Sequence, residues 1–518
     1  MPLPSGEVNL PATGQLTPTP TYGLELEKVF TRKDGPAHLV DDSYFTRLRQ
    51  RYLDRHWEAE VSDADERLVG VVTPHGVESL DNSFGLGESA TGPIRHESGG
   101  LNELDRIVAQ QVQDVVEVLD ESGATILNMS NHPLTNIDDE TYERHVVPKP
   151  VYEYMRTVRG WDHKSGINAK AQNSPSVGVP AEQAVEALNI TLGLGAALVA
   201  LYANSPFEEG NLAGAKESRL HIWDKVFKNP TFSGDHRLHQ MPGRPFENMR
   251  DYFQWMFGPD TAMYFIVVDD DGHPPKSEKS GHAHFIQVDE HPTVLEFLQK
   301  PNWQATAFED NRRLTVTSHM SHFAMHQFTQ FAGARIRYGL RDGDFPTTEF
   351  NEAMSGTGNE VDNLFAEKGA YFYIEGREPG ANFPDQELFE TAGETVARSV
   401  IMSAAALHAG LIRNGEAAKR LIDSYGWPTL QGLRESAIKA GLEGMYNDVS
   451  MPRLCSDVLS VAADGLDSDE QWMLAYPEYV IRTGQTGADR ALARYEQLSG
   501  STYSRIAQIV REKGIVLN

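Results

Sequence analysis

The chain has 518 residues, 40% hydrophobic and 23% charged, a balance that excludes a disordered or fibrous protein and allows one large domain or several ordinary ones. Acidic residues outnumber basic ones by 74 to 46, and a net charge of −28 excludes nucleic acid and anionic membrane as natural partners. The single cysteine, Cys455, excludes an intrachain disulfide and a cysteine-built zinc site, and a reducing cytoplasm is the expected setting.

Residues 1–20 carry five prolines and little periodicity, so a mobile arm is expected, with no basic stretch and apolar run of a signal peptide. Residues 21–30, "TYGLELEKVF", alternate as a strand that puts Leu24 and Leu26 on one face and Glu25 and Glu27 on the other. Two neighbouring carboxylates repel, and more strongly away from water. Either this is an edge strand with one solvated face, or the pair faces a cavity and shares divalent cations. Magnesium, which takes oxygen ligands and completes its shell with water and phosphate, suits the second case.

A helix is predicted around 42–57, and two short strands flank the Pro-His-Gly turn within 67–82. The run "SLDNSFGLGESATGP" carries Glu88 in a Gly- and Ser-rich context that predicts a loop, so Glu88 is a further acidic ligand or part of a plain turn. Over 99–123 the stripe Leu101, Leu104, Ile107, Val108, Val112, Val115 and Leu119 predicts an amphipathic helix stopped by Gly123, followed by a strand at 124–130. Residues 181–203 predict an apolar helix. Asn189, Thr191 and two glycines make it a buried helix rather than a membrane span. Its Gly193-Leu194-Gly195 lies inside a helix and is no dinucleotide fingerprint, and no phosphate loop or nucleophile elbow occurs elsewhere. A nucleotide would therefore need metals and arginines to hold its phosphates.

A loop is expected at 204–217, then Arg219, His221 and Trp223, and then a strand at 262–272. A helix-like segment at 315–331 would align His319, His322 and His326 on one face, as a metal site or as partner-satisfied histidines, since no carboxylate completes an H-E-x-x-H motif. In "ARIRYGLRDGDF", Arg335, Arg337 and Arg341 are expected to project to one face. That face is a surface stripe or a bidentate grip on carboxylate or phosphate. The last third is helical, clearest at 393–415 and 489–514. Cys455 lies in an apolar helix-like run and is not expected to be a nucleophile. Strands and helices without regular alternation predict an α+β fold, with no internal repeat and no long polar linker within 21–515.

Together, "YGLELEKVF", "ESATGP", "ANSPFEEG", "SRLHIW", "AMYFIVVDDDG" and "RYGLR", in this order and spacing, resemble the glutamate–cysteine ligase family, among the glutamine-synthetase-like carboxylate–amine ligases. The resemblance runs from about Tyr22 to about Glu496, and "ANSPFEEG…SRLHIW" is its most specific part. It implies one catalytic domain over 21–518, with a curved, mainly antiparallel sheet forming a half-open funnel and helices outside. ATP and two or more magnesium ions would lie inside. It implies that the side-chain carboxylate of glutamate is activated as an acyl phosphate and joined to an amine, cysteine in the named enzymes. By the same resemblance Glu25, Glu27 and Glu88 match metal ligands, and Arg219, His221 and Trp223 match the glutamate pocket. Arg341 and Arg219 take catalytic roles, with Arg337, Arg341 and His322 toward the nucleotide. Four departures stand out: Gly339 where the family has a glutamate two residues before the arginine, Asn168 at a histidine or glutamine position, the nearby Lys170, and Ser218 before Arg219. Either a metal ligand is lost there, or Asp342 or Asp344 substitutes for the missing glutamate. The departures leave open a ligase for another acid or amine, or a ligase-fold binding protein.

Overall fold

The computed structural model describes residues 20–517 apart from 65, 168–170, 260, 262–265, 270–271, 273–283, 309, 330 and 342–344. The expectations for residues 1–19, Asn168, Lys170, Asp342 and Asp344, and for most of the 262–272 strand, fall outside the described residues.

Nine of the described strands form one antiparallel sheet: β1 (Thr21–Arg32), β2 (Glu60–Ala64), β3 (Arg67–Thr73), β4 (Gly76–Leu80), β5 (Leu86–Arg95), β6 (Ala124–Leu127), β7 (Asn173–Gly178), β8 (Ala334–Leu340) and β9 (Gly369–Gly376). Their order is β8-β9-β7-β1-β5-β4-β3-β2, and β6 pairs with the far end of β1. The sheet is open, with helices packed against it. The fold is the expected α+β class.

Period-two alternation sorts the side chains. Leu24 and Leu26 are almost fully buried, and across the ladder their face continues as Pro175 and Val177, then Ile374, then Ile336. Against the sheet pack α1 (Asp42–Asp54), the striped α2 (Gly100–Asp120), the all-apolar α3 (Ala184–Leu201) and α5 (Glu394–Arg413), while α4 (Ser218–Val226) follows the loop after α3. Gly123, at φ 69°, takes the left-handed conformation that ends the α2 region. Residues Ala181–Leu201 and Glu394–Arg413 are long and apolar enough to cross a membrane, but their most apolar windows are 89% and 83% buried inside the fold, as core helices are. Gly193 lets α3 approach Ile422 and Trp427, where an added Cβ would sit 3.0–3.1 Å from both side chains. Packing, not nucleotide binding, accounts for that glycine.

Three local expectations are corrected. The Glu88 run is strand β5, not a loop. Gly87 fits there because the Phe30 ring occupies the space a Cβ would take. Residues 315–331 are not one helix: Arg313–Thr317 is a strand of a second antiparallel sheet with Asn302–Ala307, His284–Val288 and Ile266–Val268, and only Met320–Met325 is α-helical. β-branched Thr315, Val316 and Thr317 favour the strand. Residues 489–514 break into the helices Gly487–Gln497 and Thr502–Glu512, because the Ser501 side chain caps the second by accepting from the Ser504 N–H.

Candidate active site

The face of the sheet opposite Leu24 and Leu26 is polar. On β1, Glu27 lies directly across from Glu88 of β5, and Glu25 lies across from Ser174 of β7. Cross-strand partners share a face, so the three glutamates converge. One carboxylate oxygen from each lies within 4.8 Å of the others. At such separations each pair of charges repels by roughly 3 kcal/mol in a partly buried setting.

Nothing described neutralises them directly. Glu27 is only 4% exposed, and among the described residues its Oε2 has no hydrogen-bond partner. Burial, then the charge of Glu375, lifts Glu25 to about 7. Burial, then Glu25 and Asp81, lifts Glu88 to about 8, and burial with Asp81, Glu25 and Glu88 holds Glu27 well above the carboxylate range. A second convergence, His96, Asp467 and Glu470, provides the contrast. There Arg413 already supplies the cation, 2.9 Å from Asp467 and 2.6 Å from Glu470. The first group has acidic oxygens, an orphaned buried acceptor and, among the described residues, no such ion-paired partner, so it fits divalent cations.

These shifts set a pH dependence. Carboxylates whose pKa is raised must shed protons before a cation can bind. Magnesium affinity is therefore expected to rise with pH through the interval from about 7 to about 8 given by Glu25 and Glu88. Calorimetric titration with magnesium chloride across that interval checks it, and a flat profile would count against cation binding at these three residues.

Beside the acidic group lies a basic one. On β8 and β9, Glu375 accepts from Arg335 at 2.8 Å and Arg377 at 2.7 Å, with Arg337 at 3.6 Å. Burial works against ionisation of Glu375, but Arg335, Arg377 and Arg337 outweigh it and hold the group at about 2. Three guanidiniums against one carboxylate leave an excess of positive charge facing Glu25. Arg337 also lies 6.0 Å from the Tyr373 ring centroid. The polar face thus carries an acidic group and a basic group side by side, with β7 between their strands.

The expected residues divide accordingly. Glu25, Glu27, Glu88 and Arg337 come together. Arg341 does not join them. The β8–β9 register shifts after Gly339, and Arg341 follows the strand as an exposed side chain donating to the Gly369 carbonyl at 3.3 Å. The expectation that Arg335, Arg337 and Arg341 form one row is corrected on that ground. Gly339 also has a steric reason, since the Tyr371 ring fills the position its Cβ would take.

A glutamate-x-arginine pair of the kind sought at 339 and 341 occurs at Glu375 and Arg377, one strand over. Sequence reasoning missed both, although "YFYIEGR" shows the alternation of a strand ending in that pair.

Arg219 is buried beside Gln172. It donates to Glu217 (2.8 Å), to Gln172 Oε1 (3.1 Å) and to the carbonyl oxygens of Glu378 (2.9 Å) and Arg377 (3.3 Å). It holds the end of β9 against the start of β7. Trp223, one turn along α4, packs on Phe331 and Phe227 with centroids at 4.8 and 5.9 Å, and His221 between them is half-buried. His322 is buried away from this group. It accepts from the His319 N–H at 3.3 Å and meets the Phe297 ring edge-on. Among the described residues the three histidines form no metal-ligand group.

The profile of glutamate-cysteine ligase family 2 (GCS2) matches residues 60–340. No curated protein sequence gives a significant match. Among solved structures the chain is similar to a glutamate–cysteine ligase from Francisella tularensis in complex with AMP, with a TM-score of 0.48 and 10% identity over 96% of this chain and 88% of that one. It is also similar to a bifunctional glutathione synthetase from Pasteurella multocida, with a TM-score of 0.43 and 12% identity over 96% of this chain and 51% of that one. Since the family match spans more than half of its residues, the chain belongs to glutamate-cysteine ligase family 2.

Proposed function

We propose that the chain is an ATP-dependent ligase that activates the side-chain carboxylate of glutamate and joins it to an amine, cysteine or a related amino acid. The observation that carries this is the convergence of Glu25, Glu27 and Glu88 within 4.8 Å, with the Arg335, Arg337 and Arg377 group beside it. A carboxylate is a poor electrophile and needs activation before an amine can displace its oxygen. Phosphoryl transfer asks a protein mainly for positioning and fixed positive charge around the moving group.

In this reading Glu25, Glu27 and Glu88 hold magnesium, which would neutralise their repulsion and the charge of nucleotide phosphates. Arg377 and Arg337 would supply fixed positive charge to the phosphoryl oxygens. Glu375 keeps the guanidiniums of Arg335 and Arg377 fixed, so they need no reorganisation during the reaction. Arg219 acts through others, by fixing the 377–378 backbone and Gln172. Because the site draws on residues 25–27 and 375–377 alike, we infer that 21–518 acts as one catalytic unit.

The test is phosphate release from magnesium ATP with glutamate and a panel of amines, with products identified by mass spectrometry. Release that requires both glutamate and an amine, with a γ-glutamyl amide as product, is expected. If cysteine is inert and another amine reacts, the acceptor differs from that of the family's name. If no amine yields an amide, the proposal fails.

A further inference from the structure

Strand β7 lies between the acidic and the basic group, and its polar-face residues are neutral. Ser174 and Ser176 alternate along it with Gln172 just before its start: the Gln172 carbonyl accepts from the Glu27 N–H at 2.9 Å, Ser174 sits opposite Glu25, and Ser176 opposite Glu375. Two of these side chains carry unpaired donors in a dry place. Gln172 is 2% exposed and Ser174 fully buried, yet among the described residues Gln172 Nε2 and Ser174 Oγ have no hydrogen-bond partner. A buried donor left unpaired is costly, and folded proteins keep few of them.

The orientation of Gln172 is set. Its Oε1 accepts from Arg219 Nη1 at 3.1 Å, a bond only the oxygen end of the amide can make. The NH₂ end is therefore turned away from Arg219. Glu27 Oε2, on the neighbouring strand, is likewise unpartnered. A ligand completing this place would offer a cation to Glu27 and acceptor oxygens to Gln172 and Ser174.

We infer that Gln172 Nε2 and Ser174 Oγ donate hydrogen bonds to the oxygens of the phosphoryl group while it is transferred. The inference rests on the ligase reading and assigns that site two further catalytic residues. In the step, the bond between the γ-phosphorus and its bridging oxygen breaks and the electron pair leaves with ADP. A carboxylate oxygen forms the new bond to phosphorus, and no proton moves. Groups that touch the moving phosphoryl need only give hydrogen bonds, which suits an amide and a hydroxyl. A substrate carboxylate held elsewhere on the face would not span the acidic and basic groups, whereas the transferring group must lie between cations and arginines. β7 forms the floor of that place.

The experiment uses the full chain and a phosphoryl mimic, so that it depends on neither the acid nor the amine. Binding of magnesium ADP is measured by calorimetry with and without aluminium fluoride, in the wild type, Ser174→Ala and Gln172→Met, with melting curves confirming that each variant is folded. In the wild type, aluminium fluoride is expected to tighten ADP binding. In each variant, affinity for magnesium ADP alone is expected to stay within about twofold, while roughly ten- to a hundredfold of the tightening is lost. Tightening equal to wild type in Ser174→Ala overturns the inference and leaves the ligase reading standing. A wild type that does not bind magnesium ADP overturns both. Should Gln172→Met fail to fold, Ser174→Ala decides alone, because it removes one oxygen and no packing.

Discussion

Glu27→Gln is expected to abolish turnover while leaving the metal-free protein as stable as the wild type or more so. The two effects share one cause. Glu27 is almost fully buried among Glu25, Glu88 and Asp81, and its pKa is raised by burial and by those charges. For an acid whose folded pKa lies above the unfolded value, the folded state binds the proton more tightly. That stability is present at low pH and is lost as pH rises through the folded pKa. Near neutrality the charge therefore weighs against the fold, and an isosteric amide relieves it. The same substitution removes an anionic ligand from the cation site, for a loss of several kcal/mol of transition-state stabilisation, or at least ~10³-fold in rate. Melting in a chelating buffer, set beside steady-state turnover, reads both quantities. Retained turnover with a lowered melting temperature would remove Glu27 from the site.

Arg377→Met is expected to have the next largest effect, a fall in kcat of about 10²–10³-fold, the usual loss when one fixed donor to developing charge is removed. Arg377 is the cation that most opposes the raised pKa of Glu25 and Glu27, so its loss should also weaken magnesium binding near neutral pH. The fold should hold, because Arg335 still pairs with Glu375 at 2.8 Å. Arg341→Met is the control. Its side chain is exposed and touches only the Gly369 carbonyl among its described contacts, so turnover within about twofold of wild type is expected. If Arg341→Met were the damaging variant and Arg377→Met harmless, the assignment of the anion site to β8 and β9 would be wrong.

The alternation of 21–30 was enough to place Glu25 and Glu27 on one face, because a strand's side-chain period leaves no other arrangement. The stripe of α2 was legible for the same kind of reason. Glu88 was harder. Its strand carries Gly87 and Gly92 and follows Gly85, residues that read locally as a turn; the Phe30 ring lies across Gly87, and Gly92, at φ 115°, sits against the Tyr22 carbonyl and Gly23 of β1. The arginine group was half legible. Arg335 and Arg337 alternate as expected, but a register shift at the end of β8 removes Arg341, and no local pattern announces such a shift. Glu375 and Arg377 alternate in "YIEGR" as a strand end does, but no local signal marks them as facing Glu25. Gln172 and Ser174 carry no signal by themselves, since their significance lies in what fails to touch them.

The sheet order has a consequence for how this chain is made. β1 pairs with β5 on one side within the first hundred residues and with β6 at the far end of its other edge, but residues 21–26 of that edge wait for β7, which ends at Gly178. Until then a nascent chain displays an open row of amides and carbonyls, the kind of template that recruits other chains. It also holds three crowded anions well before the guanidiniums of β8 and β9 emerge. Translation products truncated before β7 should therefore aggregate, whereas those that extend past it can close that edge.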